Sequence, residues 1–408
     1  MDKSKQDIVA VEDQGESLGL VEPWRIAGDS RFREPLNDLA VRLAQKSAGF
    51  RQGLPQKIVS ILASLVRGMN CYYSNLIEGH DTHPVDIERA LNDDFSSNSN
   101  MRDLQLEAKA HIEVQRWIDN GGLQQPVTSV ASLLEIHRRF CSLLPDDLLW
   151  AQSPKSDTLV RVVPGSLREH DVQVGRHIPV SAGAVPRFLE RFADTYSHIG
   201  QAEMIVCVAA AHHRLLWIHP FLDANGRVAR LMSHTMLLQT LDTGAIWSVS
   251  RGLARNEQQY KSLLANCDQP RRNDLDGRGN LSEEALVEFT RFFLETCLDQ
   301  VAFMESLMQP DKLTSRILSW ASEQVQRGNL PKKSGRLLEA ILFRGGELSR
   351  GEIPEILDVG TRQSRRVISA LIKEEVLVSN SSRAPLILNF PARLAGLWMP
   401  GLFPEKYM

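Results

Sequence analysis

Residues 219–230 read His-Pro-Phe-Leu-Asp-Ala-Asn-Gly-Arg-Val-Ala-Arg. A strongly apolar helical stretch, AEMIVCVAAAHHRLLWI, lies ahead of this run, and a second one, GRVARLMSHTMLLQTL, begins inside it. A polar, glycine-containing turn at a helix N-terminus presents free backbone N–H groups, a natural seat for phosphate. Arg227 and Arg230 are three residues apart, so both guanidinium groups can point to one side of the new helix. Asp223 is a hard oxygen ligand suited to a Mg2+ ion shared with phosphate oxygens. His219 is of the type that titrates near neutrality and can take a proton from an attacking hydroxyl. A base, a metal ligand, an anion cradle and two charge clamps in one turn make the inventory of a phosphoryl or nucleotidyl transferase.

The run resembles the Fic family signature, HxFx(D/E)(G/A)N(G/K)RxxR, and meets every specified position, with Ala224 in place of the more usual glycine. The resemblance implies an all-α catalytic core that moves AMP from ATP to a Ser, Thr or Tyr hydroxyl of a target protein, itself included. By the motif, His219 is the general base and Asp223 holds Mg2+ at the α- and β-phosphates. Asn225 and the turn amides at Ala224 and Gly226 hold the α-phosphate, Arg227 the β-phosphate and Arg230 the γ-phosphate. Phe221 anchors the loop in the core. His212 and His213 precede the motif on the apolar helix and read as packed side chains rather than metal ligands.

Ser74-Asn75-Leu76-Ile77-Glu78-Gly79 fits the family's inhibitory pattern, (S/T)xxxE(G/N), after an amphipathic helix traced by Ile58, Ile61, Leu62, Leu65 and Met69. Read without the resemblance, the same residues are a helix C-terminus stopped by Gly79. With it, Ser74, Glu78 and Gly79 mark the N-terminally inhibited class, where Glu78 pairs with Arg230 and takes the charge that the γ-phosphate needs. The same carboxylate could instead position water to remove AMP from a target, making a de-AMPylase. A valine-rich segment, Thr158 to Pro179, is expected to form a hairpin matching the family's target-binding flap, with Arg161, Val162, Val163 and Gly165 as contributors. Tyr260 and Asn266 resemble adenine-side residues.

Length and composition set the frame. The 408 residues suggest two or three domains, and 43% hydrophobic with 24% charged residues excludes wholesale disorder. A net charge of −3 gives no global basic field, so any nucleic-acid binding needs a local patch. Five scattered cysteines with no CxxC pair read as reduced thiols of a cytoplasmic protein. The polar N-terminus lacks the apolar core of a signal peptide, and no apolar stretch is long enough to span a bilayer, so no membrane partner is expected.

The segments expected are a flexible tail (1–30), an N-terminal helical region with the inhibitory helix (31–122), the catalytic core (123–310), a linker helix (311–333) and a small final domain (334–408). Three short helices followed by a two-stranded arm give that last domain the order of a winged helix-turn-helix. Its Thr361–Ala370 stretch carries Arg362, Arg365 and Arg366 with no acid among them. Arg362 and Arg366, one turn apart, are the first candidates for DNA contact. Protein contact is the other reading of such a module, and a second copy of this chain is a candidate partner. A regulator that binds DNA and senses nucleotide through a slow Fic core therefore stands as an alternative to the enzyme.

Overall fold

The computed structural model describes residues 12–152 and 159–404. Apolar steps of three and four through most of the chain give a mostly helical protein with a small antiparallel hairpin, as expected. Helices α1 (Arg33–Gln52), α2 (Gln56–Ile77), α3 (Pro84–Leu91), α4 (Ser99–Asp119) and α5 (Val130–Ser142) precede the strand pair β1 (Trp150–Gln152) and β2 (Leu159–Arg161). Then come α6 (Val185–Ser197), α7 (Gln201–Ile218), α8 (Asn225–Leu241), α9 (Val249–Arg255), α10 (Glu257–Asn266), α11 (Glu283–Leu307) and α12 (Pro310–Gln326). The chain ends in α13 (Ser334–Phe343), β3 (Glu347–Leu348), α14 (Ile353–Leu357), α15 (Thr361–Lys373), β4 (Leu377–Val378), β5 (Leu386–Leu388) and α16 (Ala395–Trp398).

Two compact units result. The first comprises the described residues up to Val41, Glu113–Thr240 and Leu253–Glu295; the second comprises Arg42–Ile112, Leu241–Gly252 and the residues from Thr296 onward. In the first, α7 is the central element. It is buried on all sides from Ile205 to Leu215, as a helix apolar around its whole circumference must be. Along it packs α6, whose Phe188, Leu189 and Phe192 are fully buried.

The segment expected as a flexible tail differs in part. Residues 1–11 lie outside the described residues, but Val21, Trp24 and Ile26 are buried in the first unit. The Trp24 ring meets Phe188 at 6.5 Å, and its carbonyl accepts the Tyr196 hydroxyl. The Arg214 guanidinium donates to the Pro23 carbonyl through Nε at 3.1 Å and through a terminal nitrogen at 2.6 Å. Three apolar anchors among polar neighbours are too few to show as periodicity, yet they suffice to dock an irregular segment that opens with a 3-10 turn.

The hairpin also differs from its expected span. Thr158 lies outside the described residues, and β2 pairs upstream with β1 in the register Trp150↔Arg161, Ala151↔Val160 and Gln152↔Leu159. Downstream, the expected second arm keeps only the bridge Val174↔His177. Arg168 draws that stretch onto the end of α7 instead.

In the second unit, α2 buries Ile58, Leu62 and Met69. The C-terminal elements form a three-stranded antiparallel sheet of order β3-β5-β4, with α13, α14 and α15 burying Leu337, Ile341, Leu357, Val367 and Leu371. The two-residue β3 is a strand that sequence pattern could not show. The last residues return to α2 and α3: the Tyr73 hydroxyl donates to the Leu402 carbonyl at 3.1 Å, and the Glu88 carboxylate accepts the Ala392 N–H at 3.1 Å.

Trp24→Ala removes a buried indole and is expected to destabilise the protein by about 3 kcal/mol. Denaturant unfolding measures this; a segment that did not pack would show no change.

Candidate active site

His219 ends α7. Its N–H donates to the Leu215 carbonyl at 3.0 Å, and its backbone turns left-handed at φ 50°, ψ 62°. Burial first, then the charges of Arg168 and His177, push the imidazole down to about 4, against the Leu216 backbone and the Asp223 carboxylate. At neutral pH the ring is therefore uncharged and can accept a proton.

Two residues on, Phe221 is fully buried with its ring flat on His137, centroids 4.0 Å apart and planes within 5°. Asn225, the first residue of α8, grips the same residue twice. Its Nδ2 donates to the Phe221 carbonyl at 2.8 Å, and its Oδ1 accepts the Phe221 N–H at 3.0 Å. Between them Ala224 sits at φ 63°, where a Cβ costs about 1–2 kcal/mol. Its carbonyl accepts the Val228 N–H at 2.9 Å and so starts α8.

The charged residues follow from that start. Asp223 keeps its side chain 51% exposed and accepts a hydrogen bond from Arg227 at 3.1 Å. The Arg227 guanidinium is buried and lies 4.7 Å from the centroid of the Phe140 ring. Arg230 is buried on the same helix, and Gly226 is half-buried. The first turn of α8 thus combines amide donors, two arginines and one accessible carboxylate beside a neutral imidazole. Among the described residues no group of three or more His, Cys, Asp or Glu forms a metal cage. A divalent cation held by one carboxylate together with phosphate oxygens matches this donor set.

The remaining sequence candidates distribute unevenly. In the hairpin region, Arg161 pairs with Asp146 at 2.7 Å, and Val162 is buried with its N–H on the Leu149 carbonyl. Val163 is exposed, as are Trp150 and Leu159 on the strand pair. Gly165 adopts φ +78° and donates its N–H to His137 Nδ1 at 3.0 Å; a Cβ there would meet Arg138 at 2.8 Å. Tyr260, read as an adenine-side residue, is buried, with its hydroxyl 2.8 Å from His212 Nε2. Asn266 is exposed at the end of α10.

His212 and His213 are packed, as read. His212 Nδ1 lies 2.9 Å from the Ser233 hydroxyl, and His213 Nε2 lies 2.9 Å from Asp268. In the second unit, Ser74 is buried, Glu78 caps the C-terminus of α2, and Gly79 follows at φ +86°. Arg362 and Arg366 are exposed on α15. The sequence reading missed Arg168 and His137, single buried polar residues; Arg168 bonds backbone carbonyls, and His137 meets the Gly165 N–H, the Phe221 ring and the Cys141 thiol.

Residues 127–237 match the Fic/DOC family. The chain carries a Fic domain. Protein adenylyltransferase Fic of Drosophila erecta is 26% identical to it over 170 residues, 41% of this chain and 31% of that protein. The protein of the same name from Drosophila ananassae is 29% identical over 126 residues, 30% and 22% of the two chains. The chain thus spans no more than about a third of the length of these curated relatives. A solved Fic family protein from Desulfovibrio desulfuricans has a TM-score of 0.52 at 16% identity, over 90% of this chain and 98% of that one, which shows a shared fold.

Four histidines of the Fic domain are held below their ordinary 6.5 mainly by burial: His137, His213 and His219 at about 4 and His212 at about 3. Unfolding lets each take a proton near 6.5. Their contribution to stability is therefore complete above that pH and is lost as pH falls toward 4. Denaturant unfolding at pH 7, 6 and 5 is expected to show stability declining with net proton uptake on unfolding; a flat profile would contradict the burial.

Proposed function

We propose that the protein is a self-restrained protein adenylyltransferase, a nucleotidyltransferase that moves AMP from ATP to a Ser, Thr or Tyr hydroxyl of a target protein, itself included. The observation that carries this reading is the uncharged His219 imidazole beside the α8 N-terminus with its Asp223–Arg227 pair. The target hydroxyl oxygen bonds to the α-phosphorus, its proton passes to His219, and the bond to the bridging oxygen breaks to release pyrophosphate. Amides at the start of α8 and Asn225 hold the α-phosphate, Arg227 the β-phosphate and Arg230 the γ-phosphate. Mg2+ is the expected cation at Asp223 and neutralises phosphate charge when bound. The exposed edge around Val163 supports the extended target segment by strand addition.

Within this reading, residues 31–122 restrain transfer through Glu78, 123–310 form the core, 311–333 link, and 334–408 are a winged helix. The five cysteines are buried and scattered, which supports a reducing, cytoplasmic setting. Among the described residues no helix is long and apolar enough to cross a membrane. Self-labelling with α-phosphate-labelled ATP and Mg2+ tests the proposal. Glu78→Gly is expected to label at least tenfold more strongly than the native chain, and Glu78→Gly/His219→Ala not at all. Absence of label from every variant that binds ATP would refute adenylylation. Native protein that strips AMP from a labelled target, with Glu78→Gly failing to do so, would assign the reverse reaction to Glu78.

A second function is favoured by α15, whose exposed residues include Arg362, Gln363, Arg365, Arg366 and Lys373. Among the described residues no carboxylate pairs with those four cations. Such a face supports contact with duplex DNA. Salt-dependent binding of a labelled duplex is expected, and Arg362→Ala/Arg366→Ala is expected to lower the salt slope by about 2. A duplex that stays free at low salt would leave protein contact as the role of this module.

A further inference from the structure

Arg168 is fully buried, and the acceptors of its side chain are all carbonyl oxygens. Nε donates to His219 at 2.8 Å, and one terminal nitrogen donates to His170 at 3.0 Å. The other reaches Val180 and, at 3.5 Å, Ile218. Its own N–H donates to the Pro220 carbonyl at 2.9 Å. Among the described residues no carboxylate forms an ion pair with it, and Asp171 and Glu16 act on it only through their fields. Burial lowers its pKa to about 10, so it stays charged at neutral pH.

A buried cation without a counter-ion is costly unless its surroundings supply concentrated negative potential. Here that potential comes from the C-terminal carbonyls of the 18-residue α7, the negative end of its macrodipole. Two of the acceptors, Ile218 and His219, are those end carbonyls. The guanidinium therefore fixes where α7 stops and how His219 turns, while His170 and Val180 bind the following segment to the same point. Three residues upstream, the Gly165 N–H is held by His137, on which Phe221 lies. The stretch that leaves β2 is thus fastened to both sides of the motif.

We infer that Arg168 is a positioning residue for transfer: it orients His219 and sets the distance between the target-binding strand and that base. This rests on the adenylyltransferase reading. The groups whose charges act on His219 are Arg168, His177 and Asp223. Removing the guanidinium takes away a positive neighbour, so the imidazole should titrate higher. Lysine keeps the charge but cannot span acceptors on four residues.

The test compares the full chain with Arg168→Met and Arg168→Lys in the Glu78→Gly background. It measures the His219 imidazole titration by NMR, ATP affinity, melting temperature and self-labelling rate. Arg168→Met is expected to raise the His219 midpoint by about one unit and to slow labelling about tenfold or more, with ATP affinity within about twofold. Arg168→Lys should keep the midpoint and still slow labelling. A folded Arg168→Met with unchanged midpoint and rate overturns the inference, as does a rate loss matched by lost ATP affinity. If Arg168→Met does not fold, Arg168→Lys decides: slowed labelling with ATP binding retained supports the inference, and an unchanged rate overturns it. If Glu78→Gly itself fails to label, the transferase reading falls, and the NMR midpoints still report whether Arg168 controls His219.

Discussion

The end of α7 governs the geometry of the motif. A helix buried on every side cannot leave its last carbonyls to water, and Ile218 and His219 are the carbonyls at issue. The Arg168 guanidinium satisfies them, which allows the chain to leave the helix through a left-handed residue rather than fray. Everything from Pro220 to Arg230 inherits its position from that exit. Asn225 then closes the loop on Phe221, so α8 starts at a fixed distance from the base.

The electrostatics follow the same division between fixed and exchangeable groups. His219 and Arg168 are neighbours that cannot comfortably both be charged, and the guanidinium, ordinarily the stronger base by far, keeps its proton. The Asp223–Arg227 pair is different. Its carboxylate is half in solvent, while the guanidinium it meets is buried. In the proposed reaction, an incoming phosphate takes the place of the carboxylate on Arg227 and frees Asp223 for a cation.

The motif was readable because a backbone turn with such demands tolerates few residue types, so its constraints appear as consecutive letters. The amphipathic α2 and the Gly79 stop were readable for a similar reason, being periodic or local. Arg168 and His137 left no trace, since a single buried polar side chain imposes no pattern on its neighbours in sequence. Trp24 was hidden by polar company. The contact between the Tyr260 hydroxyl and the buried His212 was equally silent, being one side-chain pair far apart in sequence. The hairpin failed on pairing partner rather than existence, because the short apolar stretch of β2 does not encode whether its mate lies before or after it.

Ala224 has a bearing on how fast and how freely ligands are received. An alanine held left-handed means that the surrounding contacts already impose the turn's shape, with Asn225 and the Val228 N–H closing it from both sides. In the proposed reaction, a phosphate arriving there meets a template rather than a loop that must be ordered around it. Association then loses little backbone entropy, and the first turn of α8 behaves as a rigid receptor whose affinity is limited by charge and desolvation rather than by folding.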